Sequence, residues 1–140
     1  MTDDERIREV FARYRTIAVY GMSKDPNKPA HYVPAHLQSE GYTIIPVNPS
    51  AAEIIGIKSY PGLQDIPERI EILNVFRPSD QVEGIVREAL ERRSKKGDIE
   101  VIWLQEGIKD EGARKAAEEA GIVFFQDLCM SKEFRHLFPQ

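Results

Sequence analysis

The sequence predicts an α/β fold: a three-layer, doubly wound, mainly parallel sheet of five strands with Rossmann-like connections. Short apolar runs rich in β-branched residues recur along the chain and alternate with stretches of helical periodicity. Strands separated by helices of about ten or more residues imply βαβ crossovers, and therefore a parallel sheet covered on both faces. Right-handed crossovers leave few other topologies.

The N-terminal third of the chain predicts a helix, a strand and a second helix. Thr2 and Glu5 have the spacing of a capping box, so a helix begins there. The apolar run at 17–20 (IAVY) has the length and β-branched content of a buried strand. Pro29 suits the first turn of the next helix, where a missing N–H costs no hydrogen bond, and Gly41 ends that helix.

The second strand is expected at residues 43–47 (TIIPV), and residues 50–69 show no clear periodicity. Pro46 cannot donate a ladder hydrogen bond, which predicts an edge position or a bulge. Later strands are expected at 70–76, 99–104 and 122–125. The helices between them are capped by Ser79 or Asp80 and by Asp110, and a short helix follows from Ser131. Four cations within 92–96 face the negative end of the dipole of the helix that Ser79 or Asp80 begins. No repeat or linker interrupts these elements, so one domain is expected over residues 1–140.

Composition limits the classes of protein to which this chain belongs. The formal net charge of −4 argues against broad nucleic-acid binding, which depends on Lys and Arg neutralising phosphates. Cys129 is the one cysteine, so no intramolecular disulfide forms and a cytoplasmic protein is expected. The acidic N-terminus does not fit a signal peptide, and no apolar run is long enough to span a membrane.

Ligand-binding residues are expected where the strands end. In open α/β sheets, ligands bind at the carboxyl ends of the strands, where the strand order reverses. The residues at those ends are Gly21, Met22 and Ser23 after the first strand, Asn48 and Pro49 after the second, Phe76 and Arg77 at the end of the third, and Gln105, Glu106 and Gly107 after the fourth.

The loop after the first strand fits an anionic ligand. A polar loop runs from Gly21 to the start of the next helix, where free N–H groups and the positive end of the helix dipole come together. Lys24 and Lys28 add positive charge. The alternative is that Gly21 only makes a tight turn. The dinucleotide pattern G-x-G-x-x-G is absent, and the second strand ends at Asn48 instead of an acidic residue. These observations disfavour NAD and fit a ligand with a phosphorylated ribose.

Arg77 has two interpretations. Because it lies just beyond a buried strand, its guanidinium either grips a phosphate or stacks on a base in the crevice. Otherwise it pairs on the surface with Asp80 or Glu83.

Metal binding and catalysis receive little support from the sequence. His31 and His36 are five residues apart, which does not bring them to one helical face, so no metal site is expected. Cys129 is interpreted as a packed thiol, and Glu106 as a residue that caps a turn or bonds a ligand. No catalytic residue is assigned.

Five segments, taken in order, resemble the CoA-binding domain family of small Rossmann-like proteins, similar to the N-terminal CoA-binding domain of the succinyl-CoA synthetase α subunit. They are IAVYGMSKDPNKPAHYV, GYTIIPVNP with IIGIKSYPGLQDIP, NVFRPS, VIWLQEGI and DLCM, and they span about residues 14–131. The resemblance implies that Gly21, Met22, Ser23, Lys28 and Pro29 contact the CoA phosphates, Val47, Asn48 and Pro49 lie beside the adenosine, Phe76 and Arg77 line the nucleotide, and Gln105, Glu106 and Gly107 touch the pantetheine arm.

The favoured interpretation is a domain that binds CoA or an acyl-CoA without catalysis, as a carrier, sensor or regulator. Ligase activity is not carried over, because none of the three histidines matches the phosphorylated histidine of the synthetase. Two alternatives stay open: an enzyme acting on CoA thioesters through Glu106 or Cys129, and an NAD(P)-binding Rossmann domain. A homodimer is also left open, since no exposed apolar stripe marks an interface.

Overall fold

A five-stranded parallel sheet lies between two layers of helices in the computed structural model, which describes all 140 residues. In chain order the elements are α1 (Asp3–Arg13), β1 (Thr16–Tyr20), α2 (Pro29–Ser39), β2 (Thr43–Val47), β3 (Glu53–Ile54), β4 (Ile57–Lys58), β5 (Ile72–Val75), α3 (Ser79–Lys96), β6 (Val101–Leu104), α4 (Glu111–Glu119), β7 (Val123–Phe125) and α5 (Met130–Leu137).

The sheet has the strand order β2-β1-β5-β6-β7, and every neighbouring pair is parallel. After β1 the chain moves to β2 on one side, and it then returns to β5 on the other side. Helix α2 follows β1 on one face of the sheet, and α3 follows β5 on the opposite face. A crevice therefore opens between the carboxyl ends of β1 and β5. The predicted Rossmann-like fold is confirmed.

Two hydrophobic clusters hold the helices on the sheet, because alternate strand residues face opposite layers. Helices α3 and α4 pack on one face, and α1, α2 and α5 pack on the other. In the second cluster the rings of Phe11 and Trp103 lie 5.7 Å apart, and Phe11 is 1% exposed. Burying one such side chain contributes about 1.5–3 kcal/mol. Packing from both faces thus fixes the strand ends that border the crevice.

Arg92 was expected to face the negative end of the α3 dipole together with the other three cations, but it is buried in the protein interior. Its guanidinium is fully buried and pairs with Asp98 at 2.9 Å. It also donates to three backbone carbonyls within residues 63–68, and Asp98 accepts from the Ile70 N–H. A buried charge requires such partners, since an unpaired one costs several kcal/mol. The ion pair therefore fixes the segment that leads into β5.

The observed strands differ from the predicted ones mainly at their ends. Strand β5 begins after Ile70, because the N–H of that residue bonds the Asp98 side chain and not a neighbouring strand. Strand β2 lies at an edge of the sheet, as Pro46 predicted. Strands β3 and β4 form a small antiparallel hairpin in the region that showed no clear periodicity. None of the helices combines the length and apolar character needed to cross a membrane.

Candidate functional site

A cleft of about 470 Å³, here called the site cleft, opens at the carboxyl ends of β1, β2 and β5. The residues that line it are Tyr20, Gly21, Val47, Asn48, Pro49, Ser50, Pro61, Arg77 and Gln81. Five sequence-predicted residues therefore meet at the strand reversal: Gly21, Val47, Asn48, Pro49 and Arg77.

Gly21 lets the loop after β1 approach the loop after β5. Its φ angle is +87°, in the region that glycine adopts without strain. A Cβ at this position would lie 2.6 Å from Cδ of Arg77, which is too close for any side chain. The aliphatic part of Arg77 therefore rests on Gly21, and only glycine permits this contact without a shift of the arginine.

Arg77 presents an exposed guanidinium at the cleft. Its Nε donates to Oε1 of Gln81, one helical turn further along, at 3.0 Å. It forms no salt bridge, and Glu83 pairs with Arg87 at 2.9 Å. Surface pairing of Arg77 with Asp80 or Glu83, the alternative considered from the sequence, is not what the structure shows. The remaining N–H groups of Arg77 are free to bind an anion.

Asn48 joins the loops that follow β1 and β2. Its Nδ2 donates to the backbone carbonyl of Met22 at 2.8 Å, and its Oδ1 accepts from the N–H of Ser50 at 2.8 Å. Both ends of the side-chain amide are engaged within the chain. Asn48 therefore shapes the wall of the cleft, and it places no negative charge there.

The loop after β1 is a less open anion cradle than the sequence predicts. The N–H of Gly21 donates to the Val47 carbonyl at 2.9 Å, and the N–H of Ser23 donates to the Ala30 carbonyl at 3.1 Å. The Ser23 hydroxyl accepts from the N–H of Asp25 at 3.0 Å. These bonds fold the loop back on the start of α2, because a short polar loop satisfies its own backbone groups.

Lys28 and Pro29 are exposed at the start of α2 and are not among the residues lining the site cleft. Lys28 is the N-cap residue and makes no side-chain capping bond, and no acidic residue lies in the first helical turn. The first turn therefore offers no carboxylate to offset the positive end of the helix dipole, and the acidic residue just before it, Asp25, accepts from the N–H of Asn27.

Three predicted site residues turn their side chains away from the cleft, into the layer of α1, α2 and α5. Met22 is fully buried there, and Phe76 packs against the same cluster. Gln105 is 4% exposed, and its Oε1 accepts from the N–H of Met130 at 3.4 Å. Alternation after β5 and β6 turns Phe76 and Gln105 to this face, whereas Met22 reaches it because the backbone turns at Gly21, whose φ angle is +87°.

Glu106 and Gly107 lie at the end of β6, beyond the site cleft. Glu106 accepts from the Lys132 ammonium at 3.0 Å, which raises the pKa of Lys132. The N–H of Gly107 donates to Oδ1 of Asp127 at 2.6 Å, and Asp127 itself has a φ angle of +58°. Cys129, the other candidate reactive group, is 9% exposed directly before α5.

Four lining residues were missed from the sequence: Tyr20, Ser50, Pro61 and Gln81. Gln81 carries a usable signal, because it follows Arg77 by four residues at a helix start. Tyr20 is the last residue of β1 and donates its hydroxyl to Oε2 of Glu88 at 2.9 Å. Burial and this hydrogen bond raise the pKa of Tyr20 to about 12. Nothing in the sequence indicates this contact across 68 residues.

The fold and its cleft define a Rossmann-like α/β domain with an open crevice at its strand reversal. The chain belongs to the CoA binding domain family, whose sequence model matches residues 15–135.

The proteins similar to this chain include some of about its own length and some that are far longer. YneT, an uncharacterized protein of Bacillus subtilis, is 40% identical over 124 residues, which are 89% of this chain and 88% of YneT. The ADP-forming acetate–CoA ligase II of Archaeoglobus fulgidus is 29% identical over 111 residues, which are 78% of this chain but 16% of the ligase. A solved structure from Thermus thermophilus has 38% identity and a TM-score of 0.90, covering 98% of this chain and 100% of that one.

Proposed function

We propose that this domain binds CoA, free or as an acyl thioester, with the nucleotide in the site cleft. Membership of the CoA binding domain family supports the ligand class. The observation that carries the proposal is Arg77, an exposed guanidinium without a carboxylate partner at the strand reversal. CoA offers a pyrophosphate and a 3′-phosphate, and a guanidinium binds phosphate through two parallel hydrogen bonds.

The surroundings of Arg77 favour an anion. Gly21 leaves room for the aliphatic part of Arg77 to lie on the loop after β1, and this contact holds the guanidinium at the cleft. The start of α2 carries Lys28 and no acid in its first turn, so its dipole adds to the positive potential. Asn48 adds no negative charge that would repel a phosphorylated ribose.

The pantetheine arm is proposed to run across the strand ends from β1 toward β6. Adjacent strands lie about 4.8 Å apart, so the ends of β1 and β6 are about 10 Å apart. Gln105, Glu106 and Gly107 stand at the end of that path. We propose that an extended chain leaving the crevice along the sheet meets the exposed Glu106 and Gly107, with the buried Gln105 side chain beneath them.

The proposed role is to hold CoA without catalysis, as a carrier, sensor or regulator in the cytoplasm. Neither candidate reactive group has the setting of a catalytic one: Glu106 is paired with Lys132, and Cys129 is almost completely covered. The archaeal acetate–CoA ligase is a far longer protein, of which this chain matches 16%. The resemblance therefore supports the binding step and not the ligase reaction.

Isothermal titration with CoA, 3′-dephospho-CoA and NAD tests the proposal. We expect CoA to bind and 3′-dephospho-CoA to bind more weakly by about tenfold or more, since a lost charged contact costs about 1.5–3 kcal/mol. Binding of NAD alone would refute the CoA assignment. Disappearance of an acyl-CoA thioester in the presence of the protein would refute the non-catalytic role.

A further inference from the structure

One lining residue of the site cleft, Tyr20, is hydrogen-bonded to Glu88, which lies outside the lining, and this contact bears on ligand choice beyond CoA binding itself. Tyr20 lines the cleft, and its hydroxyl donates to Oε2 of Glu88 at 2.9 Å. The other carboxylate oxygen, Oε1, accepts from the N–H of Leu63 at 3.0 Å. Both oxygens of Glu88 are thus engaged, and the carboxylate is held in one position.

This arrangement fixes the direction of the Tyr20 proton. A carboxylate is an acceptor only, so the hydroxyl hydrogen points to Glu88 and the free lone pair of the oxygen remains for a ligand. The Tyr20 hydroxyl is neutral across the physiological range, since burial raises its pKa to about 12 from an ordinary value that is already well above neutrality. A ligand at Tyr20 therefore meets a neutral acceptor with a negative charge directly behind it.

Tyr20 and Arg77 suit different chemical groups of a ligand in the site cleft. Phosphate oxygens are charged acceptors and are attracted to the Arg77 guanidinium, whose charge also reaches Tyr20, whereas the Tyr20 hydroxyl offers them no donor because its proton is bonded to Glu88. The groups that fit Tyr20 are neutral N–H or O–H donors. The adenosine part of CoA has two kinds, the exocyclic amine of adenine and the ribose 2′-hydroxyl.

We propose that Tyr20, oriented by Glu88, is a specificity-determining residue that accepts a hydrogen bond from a neutral donor on the adenosine part of the ligand. This inference rests on the proposed function. Tyr20 acts directly on the ligand, whereas Glu88 is a positioning residue that acts through the tyrosine.

The test compares three ligands by isothermal titration: adenosine 3′,5′-bisphosphate, its inosine analogue and its 2′-deoxy analogue. In the unmodified protein we expect one analogue to bind about fivefold or more weakly, because an acceptor left without its donor is costly. Weak binding of the inosine analogue identifies the adenine amine, and weak binding of the deoxy analogue identifies the ribose hydroxyl. The Tyr20→Phe variant is expected to bind that analogue and the adenosine ligand equally.

Two further variants sharpen the result. Tyr60 also donates its hydroxyl to a glutamate, Glu68, but does not line the cleft, so Tyr60→Phe should keep the discrimination. Glu88→Gln retains the side-chain shape while its amide donates to Tyr20, which frees the tyrosine proton for the ligand. This variant should lose or reverse the preference, and it provides the test if Tyr20→Phe does not fold.

The outcomes separate this inference from the proposed function. Equal affinity of the unmodified protein for all three ligands overturns the role of Tyr20 and leaves CoA binding intact. The same holds if discrimination survives in both Tyr20→Phe and Glu88→Gln. If none of the three ligands nor CoA binds, the proposed function fails and this inference fails with it.

Discussion

The side chain of Arg77 lies directly on Gly21, so that a Cβ at residue 21 would stand 2.6 Å from Cδ of the arginine. This contact joins the ends of β1 and β5, the two strands between which the sheet order reverses. It also holds a guanidinium at the mouth of the site cleft without a carboxylate to neutralise it. The proposed anion site is therefore a product of one glycine and one arginine from distant parts of the chain.

Replacement of Gly21 should weaken CoA binding, whereas replacement of another glycine with positive φ should lower stability alone. We expect Gly21→Ala to weaken CoA binding about tenfold or more, because the new Cβ displaces Arg77. The positive φ adds strain of about 1–2 kcal/mol. Gly97→Ala is the matched control, since Gly97 has a φ of +72° but nothing within 4 Å of an added Cβ. Titration calorimetry and thermal denaturation measure both effects; equal CoA affinity in the two variants would contradict the contact's role.

Removal of one partner from the buried ion pair between Arg92 and Asp98 should strongly destabilise the fold. We expect Arg92→Met to lower the free energy of unfolding by about 3–5 kcal/mol, because it leaves the Asp98 charge buried without its partner. Lys95→Met removes an exposed pair with Glu91 and should cost no more than about 0.5 kcal/mol. Urea denaturation measures both, and similar small losses in the two variants would show that the buried pair is not needed.

His36 should make the fold less stable in mild acid. Burial and the charge of Arg135 lower the pKa of His36 below its ordinary value of 6.5. The folded state then favours the neutral ring, so its stabilising contribution is complete above pH 6.5 and is lost as the pH falls through the lowered pKa. We expect acidification from about pH 8 to pH 5 to reduce the unfolding free energy of the unmodified protein more than that of His36→Gln.

The difference in unfolding free energy between the unmodified protein and His36→Gln gives the pH dependence that is due to His36, because all other groups titrate in both proteins. The His36 ring also bonds the Ser131 hydroxyl at 2.9 Å, and that contact is lost in the variant at every pH. Urea denaturation at several pH values gives the comparison. If the difference in unfolding free energy stays constant between about pH 5 and pH 8, the His36 ring titrates alike in the folded and unfolded chains, which would contradict this prediction.

The fold could be predicted from the sequence because its signals are local. Runs such as Ile17 to Tyr20, with turn residues after them, mark a buried parallel strand, and Pro46 marked an edge strand. Element ends were less predictable. Strand β5 is shorter than expected because Ile70 bonds the distant Asp98, a contact that no local pattern shows.

The site was predictable only in part. The fold class alone directs ligands to the strand ends, so Gly21, Asn48 and Arg77 could be chosen before the structure was known. The face to which Met22 turns is set by the backbone turn at Gly21, whose positive φ angle no local pattern in the sequence specifies. Contacts between residues far apart in the chain, such as Tyr20 with Glu88, depend on the assembled fold.

The most direct test of the central claim is the CoA affinity of three proteins: the unmodified chain, Arg77→Gln and Arg87→Gln. Both variants remove one exposed positive charge from the same region of the chain, but Arg87 pairs with Glu83 and does not line the site cleft. Isothermal titration should show CoA binding weakened about tenfold or more by Arg77→Gln and within about twofold of the unmodified protein for Arg87→Gln. Equal affinity of all three proteins would contradict the assignment of the CoA phosphates to this cleft.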